Sequence, residues 1–162
     1  MLFIRYLALV ALVVWVGGMV ILGLLVAPQT FRVLQASNPV DGRILAGALF
    51  GAILRQFHLV AYACGAVLFV CLFAMKFLGP PPHAFVARVA LVVIMLALTL
   101  YSGVPVTREL AQVQSQVSGP ISQLSKEDPR RVQFDRLHRT STLLMAMNMG
   151  LGLGLLFWYV RE

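Results

Sequence analysis

Four long apolar stretches constrain this chain more than any other feature of its sequence. Each is close to the about 20 helical residues that cross a hydrocarbon layer, and they cover approximately residues 6–27, 57–77, 89–106 and 140–160. Of the 162 residues, 60% are hydrophobic and only 12% are charged, and a soluble domain of this composition could not bury its apolar surface. The sequence therefore predicts an all-α fold in which residues 1–162 form a single four-helix bundle integral to a lipid bilayer.

Prolines and glycines predict where these helices end or bend. The first stretch is longer than the about 7–15 apolar residues of a signal peptide, so we expect it to be retained and to be closed by Pro28. Three consecutive prolines at 80–82 predict a short, stiff turn between the second and third spans. Gly103 and Pro105 are expected to loosen the last turn of the third span and to free backbone carbonyls there.

Two connecting segments, 44–56 and 107–139, are expected to shape one end of the bundle. A straight helix from Ile44 to Phe77 would be about 50 Å long, well beyond the about 30 Å hydrocarbon core. Residues 44–56 are therefore expected either to lie along the membrane surface or to extend the second helix. Residues 107–139 mix polar residues with apolar residues at helical spacing, which predicts a partly helical cap between the third and fourth spans.

The distribution of basic residues predicts the orientation. The formal net charge is +7, and of the 13 lysines and arginines nine lie in the two connections 28–56 and 107–139, which leaves four elsewhere. Cytoplasmic loops carry the excess of basic residues, so the cap is expected in the cytoplasm and both termini outside. Basic residues beside apolar spans are expected to contact anionic head groups, and a nucleic-acid partner is not expected.

Polar side chains gather where the spans are expected to meet the cap. The start of the fourth span carries a stripe at helical spacing that should face the bundle interior: His138, Ser141, Thr142, Met145, Asn148 and Met149. Arg55, His58 and Tyr62 form a second such stripe. The candidate polar site comprises Arg55, His58, Tyr101, Arg108, Asp135, His138, Ser141 and Asn148.

This polar cluster has two interpretations. In the first, arginine and histidine anchor helix ends at the head groups, and Asp135 pairs with Arg139 one turn later. In the second, the cluster lines a site for an ion, a metal, a haem or a lipid head group. His58 and His138 would be imidazole ligands in such a site, with Met145 and Met149 as thioethers of the kind that copper(I) accepts, and two histidines are also an axial pair for haem.

Small residues are expected at the contacts between helices. Glycines let neighbouring backbones approach in a membrane, and the candidates for packing are Gly17, Gly18, Gly47, Gly51, Gly150 and Gly154. Cys64 and Cys71 lie seven positions apart on one helix, roughly 10 Å, which is too far for a disulfide. We expect both cysteines to be small buried hydrophobes.

Three segments resemble a known family: "WVGGMVILGLLVAPQTF", "AGALFGAI" and "FDRLHRTSTLL". They are similar to the transmembrane-protein-205-like proteins, small four-helix membrane proteins mostly described as a domain of unknown function. The resemblance implies four membrane helices, in bacteria an inner-membrane location, and a loose similarity to copper-resistance membrane proteins. No catalytic residues are carried over from the resemblance, and its signature consists of Trp15, Gly17, Gly18, Pro28, Phe31, Phe134, Asp135, His138 and Ser141.

These observations favour a protein that is not an enzyme. The chain has no HExxH or CxxC motif, no phosphate-binding glycine loop and no nucleophile elbow. The expected function is a membrane protein whose polar cluster binds or passes a small cation such as copper. The alternatives are a subunit that packs in a homo-oligomer or a larger membrane complex, and a haem-binding membrane protein.

Overall fold

Four long helical units make up the computed structural model, which describes residues 1–79, 83–117 and 119–161. The units are Leu2–Ser37, Gly42–Leu78, Phe85–Ser115 and Pro129–Val160, with 36, 37, 31 and 32 residues, and each is long and apolar enough to cross a membrane. No strand occurs in the described ranges. The predicted all-α membrane bundle is therefore confirmed, while the proline turn expected at 80–82 lies outside the described residues.

The elements follow one another in a simple order. They are α1 (Leu2–Ile21), a π turn (Leu22–Val26), α2 (Ala27–Ser37), α3 (Gly42–Leu78), α4 (Phe85–Tyr101), a second π turn (Ser102–Val106), α5 (Thr107–Ser115), a 3-10 turn (Ile121–Gln123) and α6 (Pro129–Val160). In the membrane part, α1 packs against α3 and α6, and α4 packs against the same two helices. Outside it, α2 lies on α3 and α5 lies on α6.

Pro28 does not end the first helix, so this expectation is wrong. The chain widens into the first π turn, where the Ala27 N–H donates to the Leu22 carbonyl five residues earlier. Pro28 then falls at the start of α2, and the helical unit continues past it to Ser37. The second π turn contains Pro105 and likewise carries the third helix on, to Ser115.

Residues 44–56 are part of the continuous helix α3, which corresponds to the extension alternative. With 37 residues, α3 is about 56 Å long, so it exceeds an about 30 Å hydrocarbon core by more than 20 Å. The excess lies at the end that also holds α2, α5 and the first turns of α6, and we call this end the cap. At the tight α2–α3 turn, a Cβ on Gly42 would meet the backbone of Leu34.

The core of the bundle is apolar and lies in the membrane part. Trp15, Leu12, Leu68, Met95 and Leu155 are fully buried within it. Cys64 and Cys71 are both buried and unpaired with each other.

Close contacts between helices involve Gly18, Gly65 and Gly152, and only Gly18 of these was expected. A Cβ on Gly18 would overlap the Phe57 ring, one on Gly152 would overlap Val16, and one on Gly65 would overlap Leu96. Gly47 is only in ordinary contact range, 3.8 Å from the Gln114 amide nitrogen. A Cβ on any of the remaining candidates would meet nothing within 4 Å, so they form no such contact in this chain: Gly17, Gly51, Gly150 and Gly154.

Two glycines of α6 provide a matched test of this packing. Gly152→Ala should destabilise the bundle by about 1–3 kcal/mol, because its methyl group overpacks against the stiff Val16 side chain. Gly154→Ala faces open space and should be neutral or stabilising by up to about 1 kcal/mol, since alanine favours helix. Thermal unfolding in detergent measures both variants, and equal melting temperatures would contradict the close α1–α6 contact.

The loop before α6 is tied to the helix by charged residues. The Asp128 carboxylate accepts hydrogen bonds from the Arg130 backbone N–H at 2.9 Å and from its guanidinium at 2.8 Å, so it caps the helix and forms an ion pair at once. The Arg131 guanidinium donates to the Ser122 and Leu124 carbonyls at 3.1 and 2.6 Å. The Arg130 hydrogen bonds lower the pKa of the Asp128 carboxyl below its ordinary value of 3.8.

This lowered pKa predicts how the cap responds to acid. The contribution of Asp128 to stability is fully present above its ordinary pKa and is lost as the pH falls through the lowered folded-state pKa. Asp128→Asn keeps a capping oxygen but does not titrate. Melting temperatures recorded between neutral pH and pH 3 should therefore show the wild type losing stability relative to Asp128→Asn only at the acidic end. A constant difference at all pH values would contradict this role.

Candidate functional site

A small interior cavity lies between the four membrane helices at the level where the cap begins. Its volume is about 40 Å³. Its lining residues are Trp15 and Met19 of α1, Leu54, Phe57 and His58 of α3, Leu98 and Thr99 of α4, Ser102 of the second π turn, and Ser141, Leu144, Met145 and Asn148 of α6. All four spans therefore contribute residues to the lining of this cavity.

Asn148 links α6 to α4 at this cavity and is only 3% exposed. Its amide nitrogen donates to the Thr99 hydroxyl at 2.6 Å and to the Met95 carbonyl at 3.3 Å. The Thr99 hydroxyl donates its own proton to the Met95 carbonyl at 2.8 Å, so it accepts from Asn148. These partners determine the orientation of the amide, and they leave Asn148 Oδ1 buried without a partner.

His58 reaches the same cavity from α3 and is buried. The Leu54 carbonyl one turn earlier is close enough to interact with the imidazole, but Nδ1 forms no hydrogen bond of good geometry. The ring stacks on Tyr62 at a centroid distance of 6.3 Å. A Cβ on Gly103 would lie 2.9 Å from His58 Cδ2 and 2.6 Å from Tyr62 Oη, so the second π turn approaches the histidine only because residue 103 is glycine.

Three buried polar atoms at this cavity lack hydrogen-bond partners: Trp15 Nε1, His58 Nδ1 and Asn148 Oδ1. A polar group buried without compensation costs on the order of 1–3 kcal/mol, and ordered water or a ligand normally supplies the missing partner. The cavity exceeds the about 10–15 Å³ that one water molecule requires. The arrangement therefore suits a very small polar occupant.

The remaining chemistry of the lining is soft and uncharged. Met19 and Met145 line the same cavity as His58, and thioether and imidazole are both ligands for soft transition-metal ions. No aspartate, glutamate, lysine or arginine is among the described residues that line the cavity. The Ser102 and Ser141 hydroxyls approach to 3.5 Å on the side towards the cap.

The structure brings together some of the residues that the sequence indicated and separates others. His58, Ser141, Met145 and Asn148 meet at the cavity. The other five residues of the candidate polar site are exposed on the cap or at its boundary: Arg55, Tyr101, Arg108, Asp135 and His138. Met149 packs against the hydrophobic core instead of the cavity.

His138 and Thr142 are exposed, so the stripe drawn from the sequence includes two residues that do not face inward. The covered face of α6 runs through Leu137, Ser141 and Leu144 to Asn148 at spacings of four, three and four, which places His138 about 100° round the helix from Leu137. His138 stacks on Phe134 at 6.2 Å. The two-histidine metal site is therefore not formed.

The expected ion pair between Asp135 and Arg139 is also replaced. Asp135 lies instead 3.9 Å from the Arg131 guanidinium on the preceding turn. Its side chain is 67% exposed, so the pair is solvated and contributes little to stability.

Among the lining residues that the candidate site omitted are Trp15, Met19, Thr99 and Ser102. A signal was present for two of them, because Trp15 and Met19 are four residues apart and share one face of α1. Thr99 and Ser102 are single polar residues within apolar sequence, and such residues are expected to turn towards the bundle interior.

The Asn148 contact can be tested by removing its amide. Asn148→Ala should lower the free energy of unfolding by about 0.6–1.7 kcal/mol, from the average to the largest value for hydrogen bonds between membrane helices. Thr142→Ala is the matched control on the same helix, because the exposed Thr142 hydroxyl donates only to the His138 carbonyl of its own helix. Unfolding in mixed detergent should leave the control unchanged, and a similar loss in both variants would contradict the α4–α6 link.

The comparisons with known proteins give a family but no activity. Residues 10–118 match the family described as a domain of unknown function, DUF4149. The matched part covers α1 to α5 and includes three of the four helical units but not α6. No curated protein and no solved structure matches the chain. Because the match spans more than half of its length, the chain belongs to the DUF4149 family.

Proposed function

We propose that this protein is a non-enzymatic membrane protein that binds a small cation, with copper as the leading candidate, in the cavity between His58, Met145 and Asn148. The observation that carries the proposal is the convergence of unsatisfied polar atoms and thioethers on one small space. The site lies inside the bundle, deeper than the boundary cluster that the sequence indicated.

The lining offers suitable ligand atoms for a cation. His58 Nδ1 has a lone pair in the neutral tautomer that carries its proton on Nε2, Asn148 Oδ1 is a free acceptor, and Met19 and Met145 supply sulfur. Trp15 Nε1 is a donor and cannot bind a cation itself. A water molecule that accepts from Trp15 keeps a second lone pair for the ion.

Passage of the ion towards the cap is supported by the Ser102 and Ser141 hydroxyls, which adjoin the cavity on that side.

The excess of basic residues in the two cap connections supports a cytoplasmic cap, with both termini outside. We place the protein in a bacterial inner membrane on the resemblance to transmembrane-protein-205-like proteins. That finer relationship is also a proposal: it is supported by the segment "FDRLHRTSTLL", which lies beyond the matched residues 10–118.

Haem binding is the weaker alternative. The cavity is far smaller than the about 300–1,000 Å³ of small-molecule pockets, and the structure does not bring His58 and His138 together as an axial pair.

A role as a packing subunit is favoured by a separate observation. Gly150 and Gly154 lie one turn apart on the exposed face of α6 with no neighbour within 4 Å, and such pairs support close helix association in membranes.

The test is the metal content of the protein purified in mild detergent after growth with added copper. Wild type should hold copper at a fixed ratio to protein, and His58→Ala should lose it, because removal of a ligand exceeds the about 10–100-fold loss in affinity caused by removing an outer-shell partner. His138→Ala is the matched control, since its side chain is exposed on the cap, and it should retain copper. Mass spectrometry of the released metal measures all three proteins.

The result can contradict the proposal in two ways. A wild type without copper under these conditions would overturn copper binding and leave the cavity with a structural water. Equal loss of copper in both histidine variants would place the metal at the cap surface instead of at His58.

A further inference from the structure

We infer that this cavity selects soft monovalent cations, copper(I) and its analogue silver(I), over divalent ions such as zinc(II). The inference rests on the proposed function, because it names the class of ion taken by the same site. It follows from the ligand types, from the absence of charged lining residues and from the burial of the site.

The ligand types favour a soft ion. Two thioethers, from Met19 and Met145, and one imidazole, from His58, border the space. Thioether sulfur selects copper(I) among biological metal ions, whereas carboxylates and several histidines or thiolates are typical of zinc(II). In the part of the chain that the structure describes, no three histidine, cysteine, aspartate or glutamate residues lie close enough to hold a metal ion together. The cavity has one such residue, His58.

The lining also limits the charge of the occupant. Its groups are neutral dipoles, so no negative charge compensates an ion that leaves water for the bundle interior. The cost of transferring an ion to a medium of low dielectric constant is large and grows with the square of its charge, about fourfold from a monovalent to a divalent ion of equal radius. A monovalent ion therefore meets a much smaller barrier here.

Trp15 provides a fluorescent reporter of the cavity and a further attraction for a cation. It borders the cavity and is fully buried, and a tryptophan ring attracts a desolvated cation through its π-electrons. The chain has two tryptophans. Trp158 lies elsewhere, with the Arg88 guanidinium 5.6 Å from its ring, so Trp158→Phe preserves an aromatic contact and leaves Trp15 as the fluorescent residue.

The experiment titrates silver(I) and zinc(II) into the full chain in detergent and follows Trp15 emission. The background carries Trp158→Phe, together with Cys64→Ala and Cys71→Ala to remove the two buried thiols that would also bind silver. Silver(I) should change the emission saturably, and zinc(II) should produce no change at about 100-fold higher concentration, a discrimination of roughly 100-fold or more in affinity.

Two methionines on α6 provide the matched pair. Met145→Leu should weaken silver binding at least about tenfold, because leucine replaces the thioether at similar volume. Met147→Leu alters an exposed side chain on the same helix and should bind silver as the background does. Melting temperatures establish that both variants fold, and His58→Ala should also abolish the response.

The outcomes separate the two claims. If zinc(II) binds as tightly as silver(I), and His58→Ala abolishes both, the selectivity is wrong while the cation site stands. If Met145→Leu and Met147→Leu weaken silver equally, the thioether role is wrong. If neither ion affects Trp15 at any concentration, both the selectivity and the proposed function are overturned.

Discussion

The structure depends on one constraint: inside a hydrocarbon layer, backbone and side-chain polar groups must find partners within the protein. The helices meet it even where prolines interrupt the regular pattern. Around Pro28 the chain takes a wider turn with a five-residue hydrogen bond, and near Pro105 the Thr107 hydroxyl donates to the Ser102 carbonyl at 2.9 Å. The same constraint accounts for Thr99, whose hydroxyl donates to the Met95 carbonyl one turn earlier and accepts a hydrogen bond from Asn148.

Within the described part of the chain, three buried polar atoms of the cavity lining have no hydrogen-bond partner. Charged side chains are largely confined to the two ends of the bundle. Arg88 is the exception among the fully buried large side chains, and its guanidinium lies 4.7 Å from the Tyr159 ring at the end opposite the cap. Among the described residues, those that line the cavity near the cap carry no aspartate, glutamate, lysine or arginine side chain. Burial of a charge without a compensating partner is costly, so this neutral lining disfavours strongly hydrated ions.

The sequence predicts the fold well because span length and hydropathy are properties of whole segments. It predicts the site only in part. Helical spacing shows which residues share a face of a helix, but not which of these residues are covered by neighbouring helices. Thus Ser141, Met145 and Asn148 meet His58, whereas His138 lies about 100° away from the covered Leu137 and is exposed. The glycines show the same limit: Gly18 and Gly152 contact neighbours and Gly150 does not, although all three are similar in sequence context.

The two π turns have a consequence for the geometry of the whole cap. A π turn holds one residue more than an α-helical turn spanning the same rise, so everything beyond it is rotated by about 100° relative to an uninterrupted helix. Both turns lie beside the cavity, where Gly23 faces Met145 and Gly103 faces His58. Each turn rotates the helix about its axis. The part before the turn, α1 or α4, packs inside the bundle, and the part after it, α2 or α5, packs on α3 or α6 outside the membrane part. Without this rotation, the faces of α2 and α5 that pack on α3 and α6 would point about 100° away from these helices.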